Sequence, residues 1–255
     1  AQLAGGSRVT DPTNSTTLYA GTGEGFIAGI GNSIRGAGIF KTTDGGLNWT
    51  HLEQTKSNSD FFFVNSMAIS NDGQTMLSAT TTGIFRSTDG GATWSQVFNN
   101  GAVGAVAFNP ADADRAIAAG ISRDPTTGGN AFHSADGGAT WQPATLPTTS
   151  NGRVQLCYAA ANPQVVYASV EANPSQLWRS TDGGQTYSRR NAQKGGVPAN
   201  FLGTQGWYDN VVWAGSTNDA NLVIVGGLDL FRRTDGGNNV DQISNRRADH
   251  SAQAD

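Results

Sequence analysis

Five aspartates at near-regular spacing, Asp44, Asp89, Asp136, Asp182 and Asp235, are the first residues of this chain that could do chemistry as a set. A row of carboxylates can donate protons or hold cations, but each of these is followed by two glycines, the setting of a tight turn. A second cluster, Gly206-Trp207-Tyr208-Asp209-Asn210, puts two aromatic rings beside a carboxylate and an amide. Pyranose faces stack on such rings and hydroxyls bond to Asp and Asn, so Trp207, Tyr208, Asp209 and Asn210 are candidates for a sugar-binding platform. The same aromatics at the start of a strand could instead pack between sheets. Glu24 stands between Gly23 and Gly25 in the long loop from Gly21 to Gly38, where a carboxylate is solvated unless burial desolvates it.

The remaining reactive residues point to little. His51, His133 and His250 fall at unrelated positions, so no metal centre is expected from them. The loops SNDGQT (70–75) and STNDAN (216–221) lack the charge density of a calcium loop. Cys157, the single cysteine, lies in the apolar run VQLCYAAA and reads as a small core residue. No cofactor is expected.

The elements that must position these residues come from an internal repeat. TTDGGLNW (Thr42 to Trp49), STDGGATW (Ser87 to Trp94), SADGGATW (Ser134 to Trp141), STDGGQTY (Ser180 to Tyr187) and RTDGGNNV (Arg233 to Val240) align without gaps. Their aspartates are separated by 45, 47, 46 and 53 positions, the length of a four-stranded propeller blade. Before each copy runs a short β-rich segment (GIFK, GIFR, NAFH, QLWR, DLFR), and after the early copies an alternating strand such as TWSQVF. The Asp-Gly-Gly triplet supplies the positive φ angles of the turn, and the Asp can accept hydrogen bonds from the turn's own amides. Trp49, Trp94, Trp141 and Tyr187 should fold back across the turn and pack between blades. Upstream runs such as VGAVAFNPADADRAIAAG read as strand, polar turn, strand. One blade is therefore strand A, turn, strand B, variable loop, strand C, Asp turn, strand D.

Five such repeats fill the chain at about 1–57, 58–100, 101–150, 151–200 and 201–245. The expected fold class is all-β: a propeller of about five four-stranded blades. In the fifth repeat Val240 replaces the aromatic, and Ala248-Asp249-His250 resembles a lead-in to another strand A. Residues 246–255 are thus a tail or the start of a further blade, and the five blades could be part of a larger ring. Unclosed blade edges would favour self-association or a covering partner.

Composition agrees. Thirty-four glycines and only 14% charged residues describe many turns and short strands. A formal charge of −4 and scattered Lys and Arg give no footprint for nucleic acid or an anionic membrane. No apolar run approaches the roughly 18 residues of a spanning helix, so no membrane insertion is expected.

The pattern Ser/Thr-x-Asp-x-Gly-x-Thr-Trp, with Gly46, Gly91, Gly138, Gly184 and Gly237 at its glycine position, resembles the Asp-box or BNR repeat. That repeat occurs in sialidases, family 74 xyloglucan-degrading glycosidases, sortilin-type receptors and photosystem assembly factors. LYAGTGEG with GAGIFKTTDGG, and TQGWYDNVVW with VGGLDLFRRTDGG, look most like large secreted bacterial members of this group, which implies an extracellular or cell-surface location. The resemblance implies structural roles for the five box aspartates, their glycines and the terminal aromatics. A sialidase is disfavoured: there is no Arg-Ile-Pro motif, and Arg8, Arg35, Arg86, Arg153 and Arg179 fall mostly beside strand ends or boxes. A family 74 glycosidase needs two carboxylates across a cleft. Glu24 is the best candidate acid, with Asp209 as a weaker catalytic candidate. The leading expectation is a non-catalytic binding or scaffold propeller, its glycan or protein ligand on the face formed by the loops Gly21 to Gly38 and Ser188 to Gly206. The alternatives are a family 74-like glycoside hydrolase and a structural subunit of an extracellular assembly.

Overall fold

In the computed structural model, residues 7–25, 33–121, 130–146, 152–190, 200–236 and 241–244 are described. Gly237, Val240, His250, the tail 246–255 and the middles of both long loops lie outside them. The strands form five four-stranded antiparallel sheets, each ordered as in the sequence. The first holds β1 (Arg8–Asp11), β2 (Asn14–Gly21), β3 (Ile39–Thr42) and β4 (Thr50–His51). The second holds β5 (Val64–Ile69), β6 (Met76–Thr80), β7 (Gly83–Ser87) and β8 (Ser95–Phe98). β9 (Val103–Asn109), β10 (Asp112–Gly120), β11 (Ala131–Ser134) and β12 (Gln142–Pro143) make the third. The fourth comprises β13 (Val154–Ala159), β14 (Asn162–Val170), β15 (Gln176–Ser180) and β16 (Ser188–Arg190). β17 (Val211–Trp213), β18 (Val223–Gly226), β19 (Leu230–Arg233) and β20 (Asp241–Gln242) complete the set. The fold is an all-β propeller of about five blades.

Burial follows strand position. The second strands bury both faces along their later residues, as in VVYASV of β14 and AIAAG of β10, and read as continuous apolar runs. The fourth strands are short and largely exposed, as in SQVF of β8. Hairpins between first and second strands close through Asp and Asn side chains: Thr13 N–H donates to Asp11 Oδ1 at 2.8 Å, and Ala111 N–H to Asn109 Oδ1 at 2.8 Å. These are Asx-type turns that need no glycine.

The chain divides into two compact units, one of Ala1–Ala118 with Ser134–Gln142, the other of Ala119–His133 with Pro143–Asp255. In the first, Tyr19 and Ile39 of the first sheet pack with Phe61, Met67, Met76, Phe85 and Trp94. In the second, Tyr167 and Leu177 of the fourth sheet pack with Val223, Val225 and Phe231 of the fifth, and with Phe201 and Leu202. Each core therefore joins neighbouring sheets rather than lying within one, as a repeat that cannot bury its own faces requires. Cys157 packs against the second core, and burial pushes its thiol up to about 12. Among the described residues no helix is long and apolar enough to cross a membrane.

Candidate functional site

The five aspartates divide from the rest at once by their geometry. In each of the first four boxes the Asp folds a ring of hydrogen bonds within its own turn. Asp89 Oδ1 accepts from the Ser87 hydroxyl at 2.8 Å and from Thr93 N–H at 2.9 Å, while Oδ2 accepts from the Thr93 hydroxyl at 2.6 Å. Asp136 and Asp182 repeat this with Ser134 and Thr140, and with Ser180 and Thr186. Asp44 does so with Thr42 and Asn48. The hydroxyl two residues before the Asp also accepts the N–H of the second glycine: Gly46, Gly91, Gly138 and Gly184. These glycines sit at φ between 79 and 99°, and the preceding Gly45, Gly90, Gly137, Gly183 and Gly236 are also left-handed. A carboxylate whose oxygens are taken up by its own turn has little capacity left for substrate. Asp235 lies in the fifth box, whose glycine Gly237 is outside the described residues.

The aromatics that close the boxes behave unequally. The indole N–H groups of Trp49, Trp94 and Trp141 all donate to the carbonyl three residues back, that of Gly46, Gly91 and Gly138. Trp94 is buried against the first sheet's residues, and Tyr187 is buried too. Trp49, expected between blades, is 39% exposed, because the indole lies over its own turn.

The boxes also explain the basic residue that ends most third strands. Arg86 Nε donates to Gly137 O at 2.8 Å, and Lys41 Nζ reaches Gly90 O at 3.4 Å. In the second unit Arg179 reaches Asn221 at 3.4 Å and lies 5.9 Å over the Tyr167 ring. Lys41 and Arg86 thus meet the next blade's box corner, a link that was not expected although GIFK and GIFR carried its signal.

In an antiparallel blade the box joins the third and fourth strands, so the loop between second and third strands and the connection to the next blade emerge at the opposite end. Glu24 lies at that end of the first sheet. Its N–H donates to Ile34 O at 2.8 Å, closing the base of the loop, and the residue is half-buried. Gly23 has φ of 91°, and a Cβ there would meet Phe62 O at 2.1 Å, so the neighbouring backbone fixes where Glu24 starts.

Trp207 to Asn210 lie at the corresponding end of the fifth sheet, in turns before β17 rather than in the strand. The two rings stand 5.5 Å apart at 53°, Trp207 half-buried and Tyr208 47% exposed. Their backbone is pinned. Arg153, itself buried, donates through Nη1 to Tyr208 O, and Glu171 accepts Arg153 N–H at 2.9 Å. Asn210 is buried, its amide donating to Arg153 O and Ser169 O at 3.2 and 3.3 Å, so this side chain ties two blades together. The half-buried Asp209 donates its N–H to Gln205 O at 2.7 Å. Part of the loop from Ser188 to Gly206 is interior: Phe201 and Leu202 are buried, and Leu202 N–H donates to Ser175 Oγ. Glu24 belongs to the first unit and Asp209 to the second. Among the described residues no three His, Cys, Asp or Glu side chains are grouped to hold a metal.

Comparison with known proteins places this geometry. The Sortilin-Vps10 family (sortilin, neurotensin receptor 3) matches residues 82–195. No curated protein gives a match. Among solved structures, an ancestral GH74 enzyme superposes with a TM-score of 0.69 at 20% identity, over 95% of this chain and 32% of that one. This chain therefore spans about a third of that enzyme's length. YCF48 from Cyanidioschyzon merolae gives a TM-score of 0.51 at 12% identity, covering 93% of this chain and 84% of its own. YCF48 bound to D1 peptide gives 0.54 at 15%, covering 89% and 63%. Matched in part, over residues 82–195, to a sortilin-type family and on fold to GH74 and YCF48 structures, the chain is an all-β propeller with Asp-box turns that is similar to those proteins.

Proposed function

We propose that this chain is a secreted, non-catalytic propeller that binds a glycan or a protein through the ends of its sheets opposite the Asp boxes. The observation that carries this reading is the Trp207–Tyr208 pair: two adjacent rings on a pinned backbone, Tyr208 47% exposed and Trp207 half-buried. Rigid, part-exposed aromatics suit stacking on sugar faces or on a peptide's side chains. The box aspartates are occupied within their turns, which leaves binding to the irregular loops. One fold neighbour, YCF48, has been solved with a D1 peptide bound, so the architecture accommodates a binding role. Secretion rests on the resemblance to extracellular propellers of the sortilin and GH74 kinds. Glycan-array and pull-down binding should fall roughly tenfold in Trp207→Ala or Tyr208→Ala, the scale of a lost aromatic contact. Binding that survives both substitutions removes the platform.

A glycoside hydrolase is the second reading, favoured by the superposition on the ancestral GH74 enzyme. In it, Glu24 would act as the acid, and Asp209 is a separate, weaker catalytic candidate. A reducing-sugar assay on xyloglucan and β-glucans separates the two readings. The expected result is no turnover; turnover abolished by Glu24→Gln would establish the hydrolase.

A further inference from the structure

A cleft at the loop end of the first sheet belongs to neither candidate cluster. Arg35, Gly36, Ala37, His51, Lys56, Ser57 and Phe62 line a cavity of about 330 Å³, at the lower end of the size range of small-ligand sites. Cations are scarce in this chain, 16 Lys and Arg among 255 residues with a net charge of −4. Two of them and a histidine nevertheless meet here, and the lining contains no acid. Glu53 contacts Lys56 only at 3.9 Å through exposed side chains, a pairing too weak to neutralise it.

The cleft is built rather than incidental. Thr22, buried, accepts from Ala37 N–H at 2.8 Å and Gly38 N–H at 3.0 Å, and donates to Gly38 O at 2.8 Å, which fixes one wall. Thr55, also buried, accepts from Ile39 N–H at 2.9 Å and donates to Leu52 O at 2.8 Å, which fixes the other. The Arg35 guanidinium lies over Phe62 at 3.4 Å from the ring centroid. A planar guanidinium lying over an aromatic face can still offer its N–H fork to a carboxylate. His51 stacks on Phe40 at 4.4 Å, and its Nε2 is buried without a partner among the described residues, a condition that calls for explanation. Ser57 holds φ of 57°, a left-handed conformation costly for a residue with a Cβ and frequent at binding sites.

We propose that this cleft is a carboxylate site that takes a hexuronic-acid unit of an acidic glycan, Arg35 forking the carboxylate, Lys56 adding a point charge and the flanking rings shaping the space. The assignment rests on the binding-module reading above, and names one ligand class for it. A sugar acid suits the cleft because one ring-sized unit fits its volume and a planar carboxylate suits the stacked guanidinium.

The test is calorimetry on the full chain with trigalacturonate, its methyl ester and a neutral glucan trisaccharide. The acid should bind, and the ester and the neutral sugar should bind at least about tenfold more weakly, since the charge-assisted bonds are lost. Lys56→Gln and Arg35→Lys should each lower affinity by about three- to tenfold, the second while keeping the charge and losing the fork. Circular dichroism checks that both remain folded, and Lys56, being exposed, carries the test if Arg35 proves structural. Equal binding of acid and ester, affinity unchanged in Lys56→Gln, or no binding of the acid overturns the site. Preference for a glutamate-rich peptide at the same residues overturns the sugar assignment. Glycan binding that is lost in Trp207→Ala but intact in Lys56→Gln overturns this cleft alone and leaves the broader reading standing.

Discussion

At the scale of single residues, the Asp boxes make a pH-dependent contribution to stability. Asp89 is held down to about 2 by the Thr93 hydroxyl, the Thr93 amide and the Ser87 hydroxyl, and Asp44 to about 2 by the Asn48 amide, Thr42 and the Asn48 side chain. For Asp136 and Asp182 desolvation pushes upward, but the box hydrogen bonds outweigh it and both are also lowered. An unfolded aspartate titrates near 3.9, so each folded value lies below its unfolded one. The stabilisation is complete above about pH 4 and is lost as pH falls through the folded value near 2. Thermal unfolding followed from about pH 5 to 2 should show a falling midpoint, with a smaller fall in Asp89→Asn. A carboxyl resonance of Asp89 titrating at the ordinary value would remove this account. The same geometry explains why regularly spaced carboxylates do not form a catalytic row: their oxygens are engaged within the turn.

At the scale of elements, the third strand of a blade does more than complete a sheet. In the first two blades a cation one residue before the strand's end reaches the following blade's box, Lys41 at Gly90 O and Arg86 at Gly137 O, so these contacts recur with the sequence repeat. Arg86→Ala removes a charged donor from a part-buried carbonyl and should destabilise by about 1–3 kcal/mol in urea unfolding, whereas Arg86→Lys should recover part of the loss. A cost near zero for Arg86→Ala would mean that water replaces the guanidinium. The connections between blades carry structure of the same kind. The segment leading into the fifth sheet buries Phe201 and Leu202 and is tied by Arg153 and Asn210, which leaves Trp207 and Tyr208 as its part-exposed aromatics.

At the scale of the whole molecule, the exposed large apolar side chains bear on assembly. Leu47 and Trp49 project at the first box, and Trp213 and Ile243 from the fifth sheet and just after it. Among the described residues these are scattered side chains, well short of the roughly 800 Å² per partner that a stable interface buries. Light scattering at micromolar concentration should therefore return a molar mass near 26.5 kDa. A mass well above that value would favour the structural-subunit reading and self-association through blade edges.

The repeat was legible in the sequence because its physics is local. An Asp followed by two left-handed glycines makes its turn from neighbouring residues, whatever the surroundings, and four strands per period follow from the spacing. The sequence also singled out Trp207 and Tyr208 by their types, since aromatics beside a carboxylate stand out in any context. What only the tertiary structure decided depends on contacts between residues far apart in the chain. Asn210 became a tie between blades because Arg153 and Ser169 present carbonyls to it, 57 and 41 positions away. Trp49 and Trp94, identical in local motif, differ in exposure because Trp94 packs against residues of the preceding sheet while Trp49 covers only its own turn. The sequence pointed to the loop Gly21 to Gly38 as a binding face but not to the cationic cleft on it, for Arg35, His51, Lys56 and Phe62 meet only when that loop and an inter-blade connection fold against the same end of one sheet.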